Sequence, residues 1–373
     1  LLSLPWAVAP SLAHGLLFAG GFMPAFIAGF LFTAGPRWLQ LPEVAAPTLR
    51  PPVAALVAGW ALALAGFHAS ATLAGVGVAL AGGGWAAAMR RFHRLLRASP
   101  ATDRLHPALV SASGTVGIAA FAGAAGGLAF GEWTAVRAAT VLALWGFLAP
   151  TFATASHRLI PFFGASALPA LDAGRPNALL WAMLGALWLQ GGMALAGLLV
   201  AGPWPAAARM AQAGIEGLAA AGLLALAWRW GLVQSLRLRL LAMLHAGFVW
   251  LGLAFALAAA SHAWMAASAD RSSLGLAPLH ALTMGYLGAT LVAMVTRVTA
   301  GHSGRPLAVD GVAWALYWTL QAAVVLRVAA ALGVAGGAWA TLVAAWLWAA
   351  AAIGWAWRYG GWLGRPRIDG RPG

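Results

Sequence analysis

The chain has 373 residues, of which 62% are hydrophobic and 8% are charged, and its net charge is +14. An ordinary soluble domain has about three times this charged fraction, so the composition excludes a soluble globular protein, a disordered chain and a nucleic-acid-binding domain. All 22 basic residues are arginine, and the absence of cysteine excludes disulfides, thiolate metal sites and iron–sulfur clusters. The sequence therefore predicts an all-α, polytopic transmembrane helix bundle whose main partner is the lipid bilayer.

A membrane-spanning helix needs about 20 apolar residues, and eleven such stretches follow one another along the chain. A stub at residues 1–9 would make twelve if it belongs to a further helix. No soluble insertion or long linker separates the spans, so residues 1–373 are predicted to form a single integral membrane domain. The eleven predicted spans are 12–34, 53–69, 70–89, 107–129, 134–156, 177–201, 207–229, 240–263, 277–298, 312–331 and 337–357.

The arginines are distributed unevenly between the two sides of the predicted bundle. If the spans alternate in direction, the loops on one side hold 18 of the 22 arginines, and Arg137, Arg209, Arg271 and Arg327 fall on the other side. Cytoplasmic loops carry the excess of basic residues in membrane proteins. We call the arginine-rich side the basic side, and we expect it, together with the C-terminus, to face the cytoplasm.

Ionisable side chains inside a bilayer are costly and are therefore candidates for function. Five of the nine histidines are weaker candidates because they lie in an arginine-rich loop or at helix ends, where water can solvate them. These five are His68, His93, His106, His157 and His262.

The other four histidines form two pairs at different depths. His280 and His302 are 22 residues apart, which is about 33 Å along a helix, so they do not share one metal ion. His14 and His280 lie at the starts of their spans on the outer side, and we expect them to contact the same cofactor. His245 and His302 lie at the basic side and are predicted to form a second site, with His157 as the best third ligand if the metal is copper. Structural hydrogen bonding is the alternative for both pairs.

Other polar residues near these pairs have two interpretations each. Met284 lies four residues after His280, on the same face of an α-helix, and is a copper ligand or core filler. Arg297 and Arg305 flank His302, where they clamp haem propionates or simply follow the positive-inside rule. Glu216 and Gln190 lie at similar depth and form a structural hydrogen bond or part of a proton relay.

Four stretches of the chain resemble motifs of the NnrS family, in family order. The most specific is residues 280–307, which read HALTMGYLGATLVAMVTRVTAGHSGRPL. The others are His14 followed by GFLFTAGPRW at residues 29–38, RLIPFF at residues 158–163 and LHAGFVW at residues 244–250.

The resemblance implies a multi-helix membrane protein that contains haem b and copper and is associated with nitric oxide metabolism or the nitrosative-stress response in denitrification. It also implies the bacterial cytoplasmic (inner) membrane as the location, and nitric oxide or a related small gas as a partner. The arginines favour haem at the basic side and copper at the outer side. The alternative function is a secondary transporter, or a membrane protein that transfers a metal or cofactor, in which histidines, Glu216 and Gln190 line a pathway.

Overall fold

The computed structural model of the protein describes residues 4–167, 174–200, 202–334 and 336–370. These residues are mostly helical and include no β-strand, and eleven of their helices are long and apolar enough to span a membrane. The predicted all-α fold with eleven spans is confirmed. We number the spans α1 to α11: Pro10–Trp38, Ala46–Ala69, Ala71–Ala98, Leu105–Phe130, Trp133–Ala165, Asn177–Leu199, Ala206–Arg229, Arg239–Ala267, Ala277–His302, Gly311–Ala331 and Gly337–Gly360.

The predicted stub of a twelfth helix is not helical over residues 4–9, and residues 1–3 lie outside the described part of the chain. The backbone N–H groups of Ala7 and Val8 donate to the carbonyl oxygen of Phe67, at 2.9 and 3.1 Å. This segment is therefore held at the end of α2 by backbone hydrogen bonds, without forming a helix.

Several helices, α3, α5 and α9 among them, extend further toward the basic side than their hydropathy predicted. Helix α3 was expected to end near residue 89, but it continues to Ala98 and includes four arginines. Arginine is a good helix former and its long side chain can reach water from a helix end, so the helix stops only before Ser99 and Pro100. Helix α9 likewise continues to His302, which makes this histidine its last residue.

The predicted single domain is organised internally as two compact units. The first consists of Leu1–Ala155 and Leu180–Ala201, and the second of Ser156–Leu179 and Gly202–Gly373. The boundaries between them fall within α5 and α6.

In the first unit, glycines bring the backbones of α2 and α3 into contact. A Cβ atom added to Gly77 would lie 2.6 Å from the carbonyl oxygen of Gly59 and 2.8 Å from the Cα of Ala63. Small residues allow this close approach, which drives helix association in a bilayer that offers little hydrophobic gain. The glycines of the third span therefore form a helix-packing surface.

In the second unit, side-chain hydrogen bonds connect neighbouring helices. Tyr317 of α10 donates its hydroxyl to the carbonyl oxygen of Met243 in α8, at 2.6 Å. The indole of Trp250 donates to Gln321 at 2.8 Å and also joins α8 to α10. Since polar groups inside a membrane need internal partners, these bonds fix the helices that carry the predicted basic-side site.

Candidate metal and cofactor sites

Segments of π-helix interrupt three of the described spans, and two of these segments follow predicted ligands. His280 directly precedes the π-helical residues Ala281–Gly288, and His14 lies three residues before Leu17–Phe22; the third segment is Ala143–Leu148. π-Helical turns are rare in proteins, and those that occur often lie at functional sites. His14 and His280 as ligands remain predictions, since the third segment follows no predicted ligand.

The surroundings of the two outer histidines differ. His14 is exposed in the first unit, and its ring packs against Phe18 with 4.6 Å between ring centroids. His280 is buried in the second unit, where its Nδ1 donates to the carbonyl oxygen of Leu276 at 2.9 Å. The expectation that these two residues contact one cofactor remains a prediction.

Met284 lies inside the π-helical segment and is half-buried. The prediction that it shares a face with His280 assumed α-helical geometry. A π-helix pairs residue i with i+5 and has more residues in each turn, so a four-residue spacing no longer defines that face. Met284 as a copper ligand stays a prediction, but this spacing is not an argument for it.

His245 is fully buried, and both of its ring nitrogens face backbone oxygens. Nδ1 lies 3.1 Å from the carbonyl oxygen of Leu241, and Nε2 lies 3.2 Å from that of Trp230. A neutral imidazole has only one N–H group. Either one nitrogen turns its lone pair toward an oxygen, or the ring carries a charge away from water, which is costly. Both ring nitrogens are therefore occupied by backbone oxygens, and a metal ion could bind at Nε2 only if the carbonyl oxygen of Trp230 moved away.

Trp230 contacts two of the three histidines predicted for the basic side. In addition to its carbonyl contact with His245, its indole packs edge-on against the ring of His157, with 6.1 Å between centroids. His157 is buried, and its Nε2 lies 3.3 Å from the carbonyl oxygen of Pro176. No group of three or more histidine or acidic residues that could hold a metal ion occurs in the described ranges, so the three-histidine copper site is not assembled there.

The turn after α9 differs from the expectation that glycines aim His302 into the bundle. His302 is exposed, while Ser303 is buried and its hydroxyl donates to the carbonyl oxygen of Ala300 at 3.0 Å. Gly304 provides the left-handed backbone conformation of the turn, with φ of 70°. Arg367 donates to the carbonyl oxygen of Gly301 at 3.1 Å, and the N–H of Ile368 donates to the carbonyl oxygen of Ser303 at 3.1 Å, so the C-terminal segment is bonded to this turn. The predicted orientation of His302 is therefore wrong.

The predicted arginine pair is also divided between two places. Arg305 lies over the ring of Trp362, with 4.3 Å from Cζ to the centroid. Arg297 lies over the ring of Phe163 at 3.7 Å and lines a cavity of about 450 Å³ in the second unit. The residues that line this cavity do not include Arg305.

The cavity contains two arginines that the sequence analysis did not select. Arg237 and Arg239 line it together with Arg297, and no acidic residue is among its lining residues. Leu241 and Leu244 of α8 also line it, which places the cavity about one helical turn from His245. Arg239 additionally donates to the carbonyl oxygen of Val309 at 3.2 Å. Three guanidinium groups on an otherwise apolar wall suit a ligand with anionic groups and a large apolar body.

The partners of Glu216 also differ from the prediction. Its carboxylate contacts His262 Nδ1 at 2.7 Å and accepts a hydrogen bond from Gln212 at 3.2 Å. His262 was expected to extend toward water from a helix end, whereas it pairs with a buried carboxylate. Gln190, which the sequence analysis predicted as the partner of Glu216, lies in the first unit.

The family model described as "NnrS: NnrS protein" aligns with residues 1–367 of the chain. Comparison with curated proteins gives no significant match.

Proposed function

Because this chain belongs to the NnrS family, we propose that it binds haem and copper at histidine sites in the bacterial cytoplasmic membrane. We further propose that it handles nitric oxide or a related small gas, or transfers electrons, in nitric oxide metabolism during denitrification or in the nitrosative-stress response. Its basic side and C-terminus face the cytoplasm in this proposal.

The observation that carries the proposal is the orientation of His245 and His280. Each ring places Nδ1 against the carbonyl oxygen four residues earlier, at 3.1 Å in His245 and 2.9 Å in His280. A histidine that binds a metal almost always donates its other N–H to a carbonyl or carboxylate, which fixes the tautomer and the ring direction. Both residues lie in stretches that resemble family motifs, and both are buried in spanning helices.

The chemistry of the basic-side cavity fits haem. Arg237, Arg239 and Arg297 would hold the propionates, and Leu241 and Leu244 would contact the apolar ring. His245, which follows the lining residue Leu244 but does not itself line the cavity, would hold the iron, and His302 remains a second candidate ligand. When bound, haem would supply the binding of a diatomic gas or the transfer of one electron. The protein supplies the anion-binding groups and the oriented imidazole.

For copper, we propose His280 as a ligand, with His14 and Met284 as further candidates. Imidazole and thioether groups are ligands that copper accepts. The π-helical segment after His280 gives this stretch a backbone geometry different from that of the regular spans around it.

Optical spectroscopy and metal analysis of the purified protein test the proposal. We expect a Soret band and stoichiometric copper in the wild type. His245→Ala should lose haem and retain copper, and His280→Ala should lose copper and retain haem. His93→Ala is the matched control, because His93 contacts only the hydroxyl of Thr115, at 3.2 Å, among its described hydrogen bonds. A folded wild-type protein with neither haem nor copper would refute the proposal, as would variants with unchanged contents.

Secondary transport is the second candidate function. The buried contact between Glu216 and His262 favours it, because ionisable residues inside spans often mark a pathway for ions or protons. A purified protein that lacks a Soret band and carries a solute or ion across vesicle membranes would support transport over the haem proposal.

A further inference from the structure

Glu216 is the only one of the eight acidic residues that lies inside the described spans. Its side chain is 1% exposed, whereas that of its partner His262 is 17% exposed. An isolated charge at this position would be strongly disfavoured, since neither lipid nor apolar side chains replace the lost hydration. The short contact of 2.7 Å between Oε2 and Nδ1 satisfies both groups.

The pair can hold one proton in two ways without changing its net charge. The proton lies either on the carboxyl group of Glu216, opposite a neutral ring, or on Nδ1 of a doubly protonated ring, opposite a carboxylate. Oε1 of Glu216 carries no proton in either form, so the amide of Gln212 donates to it in both, at 3.2 Å. The group around the carboxylate is therefore suited to a mobile proton.

We propose that Glu216 and His262 form a proton-exchange site that communicates with the membrane surface opposite the basic side. In the uptake step, Nε2 of His262 takes a proton from water at that surface, and Nδ1 passes its own proton to Oε2 of Glu216. Release reverses both transfers. Only protons move, so no oxidant or reductant is required, and the site works independently of haem and copper.

The approach from that surface is polar. His262 lies five residues before the end of α8 at Ala267, which is about 8 Å along the helix. The Oε1 atom of Gln212 is buried and accepts no hydrogen bond from the described residues, so it offers an acceptor to a water molecule or a hydrated proton. At the same end, Arg209 pairs with Asp270 at 3.3 Å, with side chains that are 15% and 18% exposed.

In the direction of the basic side, the contact between α7 and α8 is apolar. Ala220, Leu223 and Ala227 are buried on α7 below Glu216. A Cβ atom added to Gly252 of α8 would lie 2.7 Å from the side chain of Leu224, so these helices leave no room for water there. Polar side chains therefore continue from the pair toward the end of α8 at Ala267, whereas the contact toward the basic side is apolar and closely packed.

Few other charged groups act on the pair. Helix α7 packs against α8 and, through a small contact, against the short helix Leu232–Ser235, which has no titratable side chain. Helix α8 also packs against α9, whose titratable groups are His280 at the same end as the pair, Tyr286, and Arg297 and His302 toward the basic side. Arg209 and Asp270 lie at the same end as the pair. The remaining titratable groups of α7 and α8 lie at the basic-side end and are Arg229, Arg239 and His245.

Infrared difference spectroscopy of the whole protein in lipid vesicles tests the proposal. We expect the acid-minus-alkaline spectrum to contain a C=O band of a protonated carboxyl group that shifts in heavy water. Glu216→Gln should remove this band, and His262→Asn should shift its frequency because the hydrogen bond to Oε2 changes. In vesicles of one orientation, a pH step on the side opposite the basic side should change the band at once. A step on the basic side should change it only after a protonophore is added.

Glu132→Gln is the matched control, because Glu132 is an exposed carboxylate between two spans and its loss should leave the Glu216 band unchanged. Haem and copper contents should be the same in all these variants. A wild-type spectrum without a pH-dependent carboxyl band would overturn the proposal, and this result requires no variant to fold. A band that persists in folded Glu216→Gln, or one that responds first to a pH step on the basic side, would overturn it as well.

Discussion

Replacing Gly77 with alanine tests whether backbone contact holds α2 and α3 together. The added Cβ would lie 2.6 Å from the carbonyl oxygen of Gly59 and 2.8 Å from Cα of Ala63. Such contacts are essentially never shorter than 3.0 Å, so the helices must separate by roughly 0.4 Å or more. Overpacking costs about 1–3 kcal/mol, and the rigid backbone neighbours favour the upper end. Alanine regains about 1 kcal/mol because it is a better helix former than glycine. We therefore expect the free energy of unfolding to fall by about 2 kcal/mol.

The matched control is Gly83→Ala on the same helix, where an added Cβ meets no atom within 4 Å. This substitution should leave stability unchanged or raise it by about 0.5–1 kcal/mol, because alanine is the better helix former. Both proteins would be unfolded thermally in the same detergent, followed by helical circular dichroism. Equal melting temperatures for the two variants would show that α2 and α3 do not depend on this glycine contact.

Two further predictions concern helix ends and helix contacts in the second unit. Asp310 caps α10 by accepting from the N–H of Ala313 at 2.8 Å and pairs with Arg358 at 2.6 Å, and these bonds lower the pKa of its carboxyl group from the usual 3.8. Above pH 3.8, Asp310→Ala should lower the free energy of unfolding by about 1 kcal/mol, because the helix loses its cap. The difference between variant and wild type should vanish as the pH falls through the lowered pKa, where the carboxylate becomes protonated. A difference in melting temperature that persists in acid would contradict this. Tyr317→Phe removes the buried bond to Met243 and should cost about 1 kcal/mol in thermal unfolding, so an unchanged melting temperature would show that this bond contributes nothing.

The eleven spans could be predicted because the bilayer imposes helix length and hydropathy on the sequence. Their ends were less accurate where arginines continue a helix beyond the apolar stretch, as between residue 89 and Ala98 in α3. A hydropathy scale counts arginine as charged and ends the predicted span before it. Arginine nevertheless has high helix propensity, and its long side chain can reach water from a helix end, so the helix continues.

The candidate sites could likewise be predicted from the sequence only in part. Depth and residue type selected His245 and His280, and only the structure shows that Nδ1 of each lies against the carbonyl oxygen four residues earlier. The π-helical segment after His280 has no simple sequence signal, so the face of Met284 could not be judged from α-helical spacing. Arg237 and Arg239 were counted as loop charges, because only the folded chain shows that they line a cavity with Arg297.

The pairing of Glu216 with His262 was missed because depth was counted from helix ends. That count assumes that neighbouring helices end in the same plane, yet two contacts show that α7 and α8 are offset. Trp230, just after α7, lies beside His245, which is six residues or about 9 Å inside α8. From that level, Glu216 is 14 residues away on α7 and His262 is 17 residues away on α8, which is about 21 and 25 Å. The same offset therefore accounts for both contacts: it buries His245 beneath the end of α7 and brings His262 to the level of the carboxylate.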